Sequence, residues 1–383
     1  MDYTLLQTYM QAHRDEMVSS LEALVSRESP STDKDHLDRL ASYLADLWRG
    51  LGASAEVIQN PARGNHVRAV VSGPTVGGDQ VPSALILGHF DTVWPIGTVE
   101  RRPMRLEGGR VSGPGTIDMK SGLVIAEYAV RAIIDLGLEL PRPMILLLNS
   151  DEETGSESSR PFIEADAAKS AYVLVLEPAM PGGVLKTARK GVGAFTVEVI
   201  GRASHAGAAP EQGVSAVEEL AHQVLRLHQM TDLEVGTTVN VGVVEGGTRP
   251  NVVAAQARAS VDVRAWTREE AERIEAAILH LEPVNPAATL SVSGYFDRYP
   301  MERTPGTVTL FEAAQRVGRE LGLSLEEGST GGASDGNFSS ALGVPTLDGL
   351  GGVGDGAHAE HEYVELASLP ERAALLAALL CEC

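Results

Sequence analysis

The 383-residue chain is long enough for two domains of ordinary size, and its hydrophobic content of 43% supports buried cores. With 52 acidic against 31 basic side chains, the formal net charge is -21, a field that repels nucleic acid and anionic membranes, so neither is expected as a partner. No apolar run approaches the roughly 20 residues of a membrane span.

The opening, MDYTLLQTYMQAHRDEMVSSLEALVSRESP, is amphipathic and acidic and lacks the basic start and apolar centre of a secretion signal; a cytoplasmic location is expected. Helical periodicity covers about Thr4 to Val25 and again Lys34 to Leu51, after which extended and helical stretches alternate, the pattern of an α/β fold. The apolar runs Ala84 to Leu87, Met144 to Leu148 and Tyr172 to Leu176 read as buried strands, each leading into a segment that carries His, Asp or Glu. Open α/β sheets place their sites at such strand ends.

From Lys190 to Pro300 the pattern becomes strand, helix, two strands, helix, strand. That βαββαβ order predicts a small α+β, ferredoxin-like insert. A helix near Val308 to Leu321, a glycine-rich stretch and a last helix near Leu369 to Leu380 follow. The expected organisation is a catalytic domain in two parts, 1–188 and 301–383, interrupted by an inserted domain at 189–300. Cys381 and Cys383 are the only cysteines, too few for a disulfide framework or a zinc–thiolate cluster. Any metal must be held by histidine and carboxylate.

LILGHFDTVWP sets His89 and Asp91 two apart at a strand end, where an extended chain points both to one side and a carboxylate can orient an imidazole. In GPGTIDMKSG, Asp118 precedes a helical stretch and suits a helix N-cap as well as a site. Asp151, Glu152 and Glu153 end the most apolar run, a crowding of acids that calls for a compensating cation unless the loop is solvated. Glu177 closes the next strand, and GVGDGAHAEHEYV offers His358 and His361. One His, one Asp, several Glu and a second His make the nitrogen and oxygen ligand set of zinc, manganese or cobalt hydrolytic sites. A pair of metals needs about that many ligands, with one carboxylate left over to take a proton from water.

These segments, with GRASHAGAAPEQGVSA, TRPNVVAAQARASVDVR and GGASDGNF in the same order, resemble the co-catalytic dizinc exopeptidases. That family includes bacterial glutamate carboxypeptidase, succinyl-diaminopimelate desuccinylase, acetylornithine deacetylase and aminoacylase, and the glutamate carboxypeptidase branch is the most similar. The resemblance implies a three-layer catalytic domain with an inserted dimerisation or lid domain, and two divalent ions, zinc or else manganese or cobalt. Their ligands would be His89, Asp118, Glu153, Glu177 and His358, with Asp118 bridging. His358 is preferred to His361 because the family's ligand stands before A-x-x-E-Y-V. Glu152 would be the general base on a bridging water, Asp91 the carboxylate that orients His89, and His205 a group acting on the scissile carbonyl across a homodimer.

Asn251 and Arg264 match positions that hold the substrate's terminal carboxylate, and Arg298 is a further candidate. The basic pair Arg189 and Lys190 departs from the glutamate branch. The implied reaction is hydrolysis of an amide bond beside a free carboxylate in a small peptide or N-acyl amino acid. An N-acyl amino acid deacylase, a dipeptidase and a non-catalytic metal- or peptide-binding homologue are the alternatives.

Overall fold

The computed structural model describes residues 1–76 and 79–383. The chain divides into two compact units: Met1–Thr187, Arg303–Ser329 and Ser334–Cys383 form the first, and Ala188–Glu302 with Thr330–Ala333 form the second.

The first unit is built on a six-stranded sheet in the order Ser54–Ile58, His66–Val71, Met144–Asn149, Ser83–His89, Ser170–Val175, Thr346–Leu347. The first two pairings are antiparallel and the other three parallel. Because side chains alternate along a strand, each central strand feeds two cores. Leu85, Leu87, Ile145, Leu147, Val173 and Val175 pack with Ile163, Ala167 and Phe338 on one face. Ala84, Ile86, Met144, Leu146, Leu148 and Leu174 join the larger core of helical side chains on the other. Two covered faces explain why these strands read as continuous apolar runs, and they make the unit three-layered.

The first predicted helix is two. Tyr3–Ala12 stops at His13, and Arg14–Val25 begins a second helix. The His13 imidazole folds back so that Nδ1 lies 2.8 Å from the Tyr9 carbonyl oxygen while its ring stacks on Tyr9. A continuous amphipathic stripe hides such a break, since the apolar period survives it.

The helix Ser121–Asp135 approaches the end of the strand Ser170–Val175 at Gly122, where a Cβ would collide with the Leu176 backbone carbonyl and crowd the Met119 side chain. Gly122→Ala is therefore expected to lower stability by about 1–3 kcal/mol, the usual penalty of overpacking. Chemical denaturation of the purified variant measures this; an unchanged midpoint would show that the helix can retreat freely.

The second unit is a four-stranded antiparallel sheet in the order Thr238–Gly246, Gln256–Ala265, Gly191–Ile200, Thr289–Arg298. Helices Ala216–Gln229 and Arg268–Leu279 cover one face, enclosing Phe195, Val197, Val261, Val263, Leu220 and Ile274. In chain order this is β-α-β-β-α-β. Among the described residues no helix is long and apolar enough to cross a membrane.

Candidate metal centre

The three central parallel strands all end at the same edge of the first unit's sheet. His89 is the last residue of its strand, Glu152 and Glu153 follow the strand ending at Asn149 in a short 3-10 turn, and Glu177 lies two residues past Val175. Asp118 arrives from the loop before the helix Ser121–Asp135. It does not cap that helix, whose N-cap position is Lys120. His358 sits between two short strands, Gly354–Asp355 and Tyr363–Glu365.

Asp118 is the hub. Its Oδ1 lies 3.2 Å from His89 Nε2 and its Oδ2 lies 3.2 Å from His358 Nε2, so each carboxylate oxygen faces a different imidazole. His89 Nε2 is also 3.5 Å from Glu177 Oε1, and His358 Nε2 is 3.0 Å from Glu153 Oε2. Donor atoms of His89, Asp118 and Glu153 lie within 4.8 Å of one another, as do those of His89, Glu152 and Glu177. A carboxylate facing two histidines, with further carboxylates on each side, is a donor set suited to two divalent cations that share Asp118.

The far side of His89 fixes its role. Nδ1 lies 3.3 Å from Asp91 Oδ1 and 3.1 Å from the Asp91 carbonyl, which aims Nε2 at Asp118. Asp91 is fully buried and does more than orient one ring: the backbone N–H groups of Glu152 and Glu153 donate to its two oxygens at 3.2 Å each, and the Ser31 hydroxyl donates at 2.7 Å. One carboxylate thus ties the turn bearing the glutamate pair to the strand bearing His89. Asp151, by contrast, faces away from the cluster and accepts from the Ser158 backbone, the Ser158 hydroxyl and the Ser159 backbone.

Electrostatics follow from crowding. Burial opposes a charge on His89, yet Asp118, Asp91 and Glu177 together hold its pKa well above the ordinary value. Asp118 and Glu153 raise that of His358 to about 10. Burial alone would raise Asp118, but the two histidines hold it below the ordinary carboxylate range. Burial raises Glu153, with His358 opposing. The imidazoles supply in protonated form the positive charge that the acids require.

Backbone strain gathers at the same place. Among the described residues the only non-glycine positions with left-handed φ are His358, at 64°, and Ser156, at 56°, just after the glutamate turn. Such conformations persist where the surroundings dictate them, and they cluster at functional sites. Asp335 accepts from the Ser156 hydroxyl and from Asn149 Nδ2, each at 2.5 Å, and so anchors both ends of the segment carrying Glu152 and Glu153. Sequence reading assigned no role to Ser31, Asp335 or Glu362, although GGASDGNF and AEHEYV contain the last two.

His361 is exposed and is not part of the cluster; of the two candidates it is His358 that meets Asp118 and Glu153. The other predicted residues lie in the second unit. His205 is exposed, and its Nδ1 accepts from the Gly207 and Ala208 backbones, which leaves the ring proton of a neutral imidazole on Nε2. Asn251 is exposed, and its carbonyl accepts from Ala206. Arg264 and Arg298 both lie opposite Val192, but the ladder to the Arg298 strand shifts register between Val192 and Gly193, and Arg298 is buried whereas Arg264 is half-buried. Arg264 grips Asp262 through two 2.9 Å contacts, so a substrate carboxylate would have to compete for that fork. Arg189 is buried and donates to the Gly332 and Ala333 carbonyls, which gives it a structural task, while the Lys190 ammonium sits 5.3 Å from the Trp266 ring centre.

The model of peptidase family M20/M25/M40 matches residues 85–382, a span that takes in every member of the cluster. The chain belongs to peptidase family M20/M25/M40. Carboxypeptidase G2 of Pseudomonas sp. (strain RS-16) is 30% identical over 385 residues, covering 97% of this chain and 90% of that protein. Aminopeptidase PepT from Bacillus cereus shares the fold, with a TM-score of 0.77 at 22% identity, covering 96% of this chain and 98% of the other. The YXEP protein of Bacillus subtilis, described as a dinuclear metal binding peptidase of the M20 family, superposes with a TM-score of 0.69 at 14% identity, covering 97% and 98%. As an M20 member the chain is a metal-dependent exopeptidase or amidohydrolase.

Proposed function

We propose that the chain hydrolyses the amide bond beside a free carboxylate, as a glutamate carboxypeptidase-like exopeptidase, using Glu152 as general base. The observation that carries this reading is the Asp118 carboxylate set between His89 and His358, with the Glu152–Glu153 turn tied to Asp91 beside it. His89, Asp118 and Glu177 would hold one ion, and Asp118, Glu153 and His358 the other, with zinc the first choice. When bound, such ions lower the pKa of water and stabilise the negative charge that develops on a carbonyl oxygen. Glu152 then takes the water's proton and returns it to the leaving nitrogen. Similarity to carboxypeptidase G2 supports release of a C-terminal residue, and Arg264 and Arg298 are guanidinium forks of the type that carboxylates select.

A hydrolysis screen of peptidyl and N-acyl amino acids with zinc, manganese and cobalt tests this. Fastest turnover of a substrate ending in a free acidic residue is expected. Preference for neutral dipeptides or simple N-acyl amino acids would move the chain to the dipeptidase or deacylase reading, and tight binding with no turnover would make it a binding homologue.

The resemblance further assigns His205 to the scissile carbonyl of a partner subunit in a homodimer. The edge strand Thr238–Gly246, with Val243 and Val244 more than half exposed, supports self-association. His205→Ala and Arg264→Ala, each impaired alone, are then expected to recover activity when mixed under exchanging conditions. No recovery would remove the role across subunits.

A further inference from the structure

Glu362 is completely buried. Four donors converge on it. Oε2 accepts from the Gly115 backbone at 2.8 Å and from Trp94 Nε1 at 2.9 Å, and Oε1 accepts from the backbones of Ile117 at 3.0 Å and Asp118 at 3.3 Å. Those donors come from two segments that carry cluster residues, the loop after His89 and the loop that ends in Asp118. Glu362 itself belongs to a third, four residues after His358, where turns closed by Ala359 N to Gly356 O and Glu362 N to Ala359 O set its position. One carboxylate therefore fastens three of the segments that build the metal centre. Lys120, also buried, donates to the carbonyls of Leu24 and Arg27.

We propose that Glu362 is a positioning residue of the metal centre, holding the backbone at Asp118 so that its two oxygens face His89 and His358 separately. This rests on the reading of that cluster as a metal site. The aim of Asp118 depends on the backbone at and just before it, where the Ile117 and Asp118 N–H groups share Oε1 of Glu362. Glu362→Gln is a sharp probe of the idea. An amide offers one oxygen and one NH2 group, so whichever way it turns, one pair of donors meets another donor and two of the four hydrogen bonds are lost.

The test loads metal-free protein with cobalt(II) and follows stoichiometry, affinity against a chelator and the visible absorption of the bound ion. Glu362→Gln is expected to keep its fold by circular dichroism while affinity falls about 10- to 100-fold, the usual loss when an outer partner of a ligand is removed, and while the cobalt spectrum changes shape. Trp94→Phe removes a single donor and keeps the ring, so it is expected to shift affinity in the same direction by less; it carries the test if the glutamine variant does not fold. Wild-type affinity and spectrum in the folded variants, even with a lowered melting temperature, would reduce Glu362 to a structural residue and overturn the proposal. Absence of cobalt binding by the unaltered protein would instead sink the metal-site reading, and this inference with it.

Discussion

Replacing Glu152 by alanine is expected to lower turnover by about 10²- to 10⁴-fold, the range for loss of a general base, while the protein keeps both metal ions. Geometry makes this a demanding expectation. Glu152 and Glu153 are adjacent, both receive their backbone direction from Asp91, and each lies close enough to His89 and other acids to serve as a ligand. What separates them is the partner: Glu153 Oε2 meets His358 Nε2 at 3.0 Å, so removing Glu153 would strip a ligand from that side of Asp118. Metal analysis of the Glu152→Ala and Glu153→Ala proteins, run beside steady-state kinetics, separates the two roles. If the Glu152 variant loses an ion and the Glu153 variant retains both, the assignments must be exchanged.

The difference between those neighbours shows where sequence stops being legible. Strand ends could be read because apolar runs covered on both faces are unmistakable, and the acids that follow them fall at one edge once the strands are parallel. The same logic finds His89, Glu152, Glu153 and Glu177. Asp118 and His358 sit in glycine-rich loops with no periodicity, and only the ordered motifs of a family marked them. Nothing local distinguishes His358 from His361; that depends on a left-handed turn and on contact with Glu153, 205 positions away in sequence.

Outer partners were harder still. The closing contacts of Asp91, Asp335 and Glu362 join residues 60 or more apart, and a serine such as Ser31 carries no signal of its own. Arg189, half of the basic pair that departs from the glutamate branch, is buried and donates to the Gly332 and Ala333 carbonyls, contacts that the sequence does not announce. Arg264 is intermediate, a strand arginine whose guanidinium is already paired with Asp262.

Metal affinity is expected to rise by about tenfold for each pH unit per proton displaced, because the ion and the proton compete for the same imidazole nitrogens. In the metal-free protein the pKa of His358 stands at about 10 and that of His89 well above its ordinary value, both held there by surrounding carboxylates, so each carries a proton at neutral pH. The sign for folding follows: a histidine whose folded pKa is raised stabilises the metal-free state fully below its unfolded value near 6.5 and loses that contribution as pH rises through about 10. For binding the dependence is reversed, since raising pH removes the competitor. Between about pH 6 and pH 8, displacement of a single proton predicts a roughly hundredfold gain in zinc affinity. Calorimetry in two buffers of different ionisation enthalpy counts the protons directly. Release of at least one is expected, and affinity flat across that range would mean that the ions are held by groups other than His89 and His358.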